Sequence, residues 1–347
     1  MVSVQPIFSF KYFKSKKNTL PRGIKSLFYL SWEDSFWDVL EKKEIKKGSY
    51  VLVPDFYCID VEKNIKSHGY KIVCYKIKKD LTADKESFEY CIAKYKPWVV
   101  VVFHPVGISS NLFDNKKWLM KTVKDSILVE DCVHRLIDPK DIRLLKKNHF
   151  IIDSLRKVVP IQGARMFGKL EDMGFEVPPI YQSMFYALGV NTLWFLMVIC
   201  WTFGMYKLAE KLMVSGYDLI GNSKLPAKGL VINRFFSDRL DILKIERYKI
   251  NQVDYYEKKL NKILSFRLRL PLEDKKYLRG FPIILKKNKA QKVLKFLRKN
   301  NLMVRFELDG SKWSKSQKII YLPLGIYMTD KQQDKVCNLV KSAILHS

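Results

Sequence analysis

Short, unbroken apolar runs punctuate the first half of the chain. Lys47-Gly48 turns into Ser49–Pro54, and Tyr70–Tyr75, Trp98–Phe103 and Ser126–Glu130 repeat the pattern. Most of these runs do not alternate with polar residues, so most read as strands buried on both faces. Between them lie the helix-like stretches Asp60–His68, Ala83–Tyr95 and Asn115–Lys124. Strand alternating with helix predicts a mainly parallel sheet built from right-handed crossovers, whose ligands sit beyond the carboxyl ends of the strands. Ser31 followed by Asp34 is a good start for an earlier helix.

Several residues able to do chemistry lie just past the strand ends. The first run leads into Pro54-Asp55-Phe56-Tyr57-Cys58, the third into His104-Pro105-Val106-Gly107, and the fourth into Asp131-Cys132-Val133-His134. Phe150–Asp153 leads into Ser154-Leu155-Arg156-Lys157-Val158-Val159-Pro160. A parallel sheet would bring these ends together although they are spread along the chain.

From about residue 226 the texture changes. A long polar helix, with Arg247, Asn251 and Tyr255 at i+4 spacing, runs to about Leu264. Phe281–Leu285, Leu302–Leu308 and Lys318–Pro323 read as strands, Lys289–Asn300 as a basic helix, and Thr329-Asp330 as the cap of a final helix through Ile344. The expected organisation is an N-terminal segment (1–24), a large domain (25–225) and a small α+β domain with its linking helix (226–347).

Charge narrows the partners. Lys plus Arg number 63 against 35 Asp plus Glu, a net +28, which favours anionic partners such as a phosphorylated small molecule or an acidic membrane. The cations are mostly lysines in short scattered runs, for example Lys14-Ser15-Lys16-Lys17, so a nucleic-acid groove is not expected. Cys58, Cys74, Cys91, Cys132, Cys200 and Cys337 are far apart without metal-ligand spacing; reduced thiols in a cytoplasmic protein, with no metal, are the expectation. The first twenty residues are too interrupted by lysine for a signal peptide. Residues 187–206 (ALGVNTLWFLMVICWTFGMY) carry no charge and approach the length of about 20 needed to cross a bilayer. A buried or dimer-interface helix is the first reading; membrane-surface association and a true span are the alternatives.

KGSYVLVPDFYC at 47–58, VEDCVH at 129–134, SLRKVVPIQG at 154–163, and the distal RGFPIIL and IIYLPLGIYMTDKQQDKV resemble, in order and spacing, the DegT/DnrJ family of sugar aminotransferases. The resemblance implies an α/β protein of the fold type I class of pyridoxal phosphate (PLP) dependent transferases: a mainly parallel sheet between helices, plus a small α+β C-terminal domain. It implies PLP as cofactor, Lys157 as the Schiff-base lysine and proton carrier, and Asp131 as the carboxylate that pairs with the ring nitrogen. His134 would reach the cofactor's phenolic oxygen and Ser154 its phosphate. Tyr57 or Phe56 would cover the ring, although the family's aromatic is commonly one place later, where this chain has Cys58. Asn233 and Arg234 would reach the phosphate of a neighbouring subunit in a homodimer.

One departure stands out. Where the family opens its first large-domain helix with a small residue and then Arg or Thr, this chain has Ser31-Trp32-Glu33, which places a bulky ring and an anion beside an expected phosphate. Either Ser154, Arg156 and a partner subunit hold the phosphate, or the site has decayed. The leading expectation is therefore an aminotransferase that moves an amino group from glutamate to a keto-sugar nucleotide in surface polysaccharide synthesis. The alternative is a degenerate family member acting as a binding or scaffold subunit at the membrane.

Overall fold

The computed structural model describes residues 2–3, 6–173, 183–221, 226–264, 268 and 270–346. In chain order the strands are β1 (Val2–Ser3), β2 (Ile24–Tyr29), β3 (Tyr50–Pro54), β4 (Lys71–Tyr75), β5 (Val99–Phe103), β6 (Ile127–Cys132), β7 (His149–Asp153), β8 (Ala164–Lys169), β9 (Phe281–Lys286), β10 (Leu302–Met303) and β11 (Gln317–Leu322). The helices are α1 (Trp32–Lys42), α2 (Ile59–Ser67), α3 (Lys85–Tyr95), α4 (Lys116–Thr122), α5 (Met184–Thr202), α6 (Tyr206–Gly221), α7 (Val231–Ser237), α8 (Ile242–Leu260), α9 (Leu272–Lys275), α10 (Lys287–Lys299) and α11 (Asp330–Leu345).

A seven-stranded sheet in the order β2-β8-β7-β6-β5-β3-β4 forms the core. The strands β4, β3, β5, β6 and β7 are parallel, as their apolar runs predict; β8 is antiparallel to both β7 and β2. The chain leaves β3 for β4 on one side and returns to β5 on the other, so a switch point opens at the carboxyl ends of β3 and β5. Every residue of β5 is buried. A smaller unit pairs β9 with β11 antiparallel and packs them with α8, α10 and α11 around an apolar core of its own.

Three expectations need correction. Two strands of the sheet, β2 and β8, go unread in the sequence, because Lys25, Ser26 and Arg165 break their apolar character. The strand expected over Leu302–Leu308 is only β10, followed by an isolated bridge from Phe306 to Ile320. The 187–206 segment is one side of an α5–α6 hairpin and is only half covered: Ala187, Val190, Trp194, Met197, Cys200 and Trp201 are buried, whereas its opposite face is open. The domain boundary expected at 225/226 falls against residues 222–225, which lie outside the described residues.

Candidate active site

The switch point holds a cavity of about 310 Å³, and most of the candidate residues line it. Trp32 and Glu33 come from the start of α1, Tyr57 and Cys58 from the end of β3, Phe103 from β5, Asp131 and His134 from β6 and its loop, and Ser154, Arg156 and Lys157 from the turn after β7. Glu307 closes one side and Tyr217 of α6 another.

Asp131 lies one residue before the end of β6 and is buried. Its carboxylate accepts from the Tyr57 hydroxyl at 2.9 Å and from the Val133 N–H at 3.0 Å. Burial pushes its pKa up to about 7, aided by Glu33 and opposed by both hydrogen bonds and Lys157. The edge of the His134 ring meets Phe103, with centroids 5.0 Å apart. His134 Nε2 is 3.2 Å from Glu307, which is also paired with Arg279, while its Nδ1 is buried with no partner among the described residues. Burial lowers His134 to about 4. Burial would raise Glu307, but Arg279 and His134 hold it well below the ordinary carboxylate range.

Lys157 lies in a single helical turn begun by the buried Ser154, which makes no capping bond and lines the cavity. Lys157 Nζ donates to the Tyr217 hydroxyl at 3.3 Å, and the Arg156 guanidinium lies 4.4 Å from the centre of the Tyr217 ring. Arg156 Nε is buried and unpartnered among the described residues. Burial lowers the Lys157 ammonium, with Arg279 and Arg305 adding to this and Tyr217 pulling against it. Burial would raise Tyr217, yet Lys157, Arg156, Arg305 and Arg279 draw its phenol well below the usual value. The sequence carries no motif that singles out Tyr217 or Glu307; only the fold brings them here.

The start of α1 behaves as its cap predicts. The Ser31 hydroxyl bonds the Asp34 carboxylate at 2.5 Å and accepts from the Asp34 N–H at 3.1 Å, which holds Ser31 beside the cavity without lining it. Trp32 stacks on Phe36 with centroids 5.0 Å apart and meets the Tyr57 ring edge-on. Phe56 turns away to pack on Trp313, leaving Trp32, Tyr57, Phe103 and Tyr217 as aromatics of the cavity wall. Asn233 donates to the Gln162 carbonyl at 2.9 Å and to the Asn191 side chain at 2.7 Å, tying α7 to α5 outside this cavity.

On the other face of β6, Glu130 is gripped by two histidines. His104 Nδ1 accepts from the Ser110 N–H, so its Nε2 carries the proton that it donates to Glu130 at 2.9 Å. His149 Nδ1 likewise accepts from the Leu145 N–H, and its Nε2 faces the other Glu130 oxygen at 3.2 Å. Cys132 Sγ lies 3.8 Å from the Glu130 oxygen that His104 bonds. The cluster holds Glu130 between two imidazoles.

No family model matches the chain, and no curated protein does. Solved structures do. A DegT/DnrJ/EryC1/StrS aminotransferase from Brucella abortus superposes with a TM-score of 0.60 at 14% identity, over 92% of this chain and 86% of that one. The PLP form of the sugar aminotransferase Spr1654 from Streptococcus pneumoniae gives 0.64 at 13% identity, over 99% and 98%. The histidinol-phosphate aminotransferase from Clostridium acetobutylicum gives 0.59 at 12%, over 94% and 85%. The chain thus has the fold of the PLP-dependent aminotransferases, as the sequence motifs imply, and that fold serves sugar and non-sugar substrates alike.

Proposed function

We propose that the chain is a PLP-dependent aminotransferase that transfers an amino group, with glutamate as donor, to a keto-sugar borne on a nucleotide diphosphate for surface polysaccharide synthesis. The observation that carries the reading is the meeting of Lys157, Asp131, His134 and Ser154 around one cavity at the switch point of this fold. The donor set fits the cofactor. An amine, a buried carboxylate, and an imidazole nitrogen on His134 and a guanidinium nitrogen on Arg156 that have no partner among the described residues all face or flank the same space.

When bound, PLP supplies an aldehyde that condenses with amines and a ring that accepts electrons. Asp131 would keep the ring nitrogen protonated, which requires its bond to Tyr57 to be shared or released. His134 would offer Nδ1 to the phenolic oxygen, steadied from behind by Glu307. Ser154 and Arg156 would take the phosphate, and Trp32 and Tyr57 would wall the ring. The lowered pKa of Lys157 leaves more of its amine neutral near pH 7, the form able to take up a proton from substrate. The +28 charge suits a doubly anionic nucleotide sugar.

Added PLP should give the purified protein visible absorbance that borohydride fixes covalently, and Lys157→Ala should abolish the fixation. Asp131→Asn should retain some cofactor but lose most of the glutamate half-reaction. Unchanged trapping in Lys157→Ala would sink the assignment. Glu33 on the cavity wall favours a second reading, a degenerate binding subunit. In that case the wild type would bind PLP poorly and Glu33→Arg would improve binding.

A further inference from the structure

The α5–α6 hairpin carries a surface that the cavity does not explain. Met184, Phe185, Leu188, Phe195, Leu196 and Phe203 recur at helical spacing along the open side of α5 and its end, with Phe185 87%, Phe195 64% and Phe203 76% exposed. The helix bears no charged residue over its 19 positions, a stripe roughly 28 Å long at about 1.5 Å per residue. Asn191 ties it to α7, where Val231, Ile232 and Phe235 are also exposed. The N-terminal segment packs Phe13 on Phe236 of α7 and brings Lys11, Lys14, Lys16 and Lys17, while Arg239 stacks 3.7 Å from the Phe235 ring centre.

We propose that the open face of α5 docks on an anionic lipid bilayer, lying in the interface. Exposed aromatic and aliphatic side chains flanked by Lys and Arg are the chemistry that interfacial helices use. Charge selects the occupant: a chain of net +28, with Arg239 stacked on the exposed Phe235 beside the face, is drawn to an anionic surface. Alpha5 is long and apolar enough to cross a membrane. Its other half, however, is packed on α6, Leu30 and Ala227, and those contacts would be lost if it spanned. The same hairpin reaches the cavity through Tyr217, so docking holds the cavity at the bilayer surface. Docking is independent of the reaction proposed above, since vesicle binding needs no turnover.

The full-length protein is centrifuged with vesicles of phosphatidylcholine alone and of equal parts phosphatidylcholine and phosphatidylglycerol. Wild type should sediment with the anionic vesicles only, and the triple variant Phe185→Ser, Phe195→Ser, Phe203→Ser should partition roughly a hundredfold more weakly while keeping the wild-type circular dichroism. Phe195→Trp, a change at an open position, should show added emission that acyl-brominated lipid quenches. Wild type that stays in the supernatant, a triple variant that sediments like wild type, or no quenching at position 195 would overturn the proposal. So would a triple variant that converts a vesicle-indifferent dimer into a monomer, which would make the face a self-association surface.

Discussion

Asp34 sits inside the first turn of α1, where the Ser31 hydroxyl, the Ala227 N–H and the Tyr186 hydroxyl all bond its carboxyl. Burial outweighs those bonds and, with Glu33 adjacent, pushes it up to about 8; burial likewise takes Asp131 up to about 7 and Asp38 up to about 6. Such carboxyls titrate near ~4 in an unfolded chain. A group that holds its proton more tightly when folded contributes stability that is complete below its unfolded pKa and lost as pH rises through its folded one. The cofactor-free protein should therefore lose stability between pH ~4 and about 8 from these three carboxyls. Asp34→Asn mimics the protonated form. Its melting temperature should match wild type only below pH ~4 and exceed it by a margin that widens from pH ~5 to ~8, and a decline parallel to wild type would show that Asp34 does not titrate in this range.

Strand β6 sets Glu130 on one face and Asp131 on the other, because adjacent side chains of a strand point oppositely. The clamp of His104 and His149 on Glu130 thereby fixes the register of the strand end that presents Asp131 to the cavity. Glu130→Gln keeps the shape but removes the charge that the His104 N–H bonds and the His149 ring faces, and should cost about 2–3 kcal/mol in urea denaturation. Cofactor affinity should fall with it through Asp131; a variant as stable as wild type would show the clamp to be idle. Strands such as β5 and β6 could be read from sequence because burial on both faces writes itself as a local apolar run. Strand β8 could not, since its buried Arg165 reads as surface until Asp153 of β7 is found bonding it at 2.6 and 3.0 Å. The site divides in the same way. Asp131, His134, Ser154 and Lys157 follow strand ends and are locally visible, whereas Tyr217 and Glu307 reach the cavity only by the packing of α6 and the C-terminal unit. The half-open state of α5 was equally hidden, because apolar composition does not say which face a neighbour covers.

At the scale of the whole molecule, the large sheet and the C-terminal unit meet beside the cavity, and the joint is close-packed. Ser109 bonds Asp274 through both its N–H and its hydroxyl, Arg135 lies 3.8 Å from the Tyr277 ring centre, and His134 reaches Glu307. Gly107 makes this approach possible. Its φ is +98°, and a Cβ there would stand 2.8 Å from the Tyr277 carbonyl oxygen, 2.9 Å from Leu278 Cα and 3.0 Å from the His134 carbonyl oxygen. All three are backbone atoms that cannot swing aside, and the preceding Val106 already holds a positive φ of 54°, which a β-branched residue rarely adopts. Gly107→Ala should therefore cost more than the ~1–2 kcal/mol of the left-handed backbone alone, because the two units must also move apart. The displacement falls on His134 and, through Glu307, on Arg279, so PLP binding should weaken along with stability. Urea titration followed by tryptophan emission should show a lower midpoint, with the C-terminal unit loosening first. A midpoint within error of wild type would mean that the joint yields without strain, and that His134 is held by the large sheet alone.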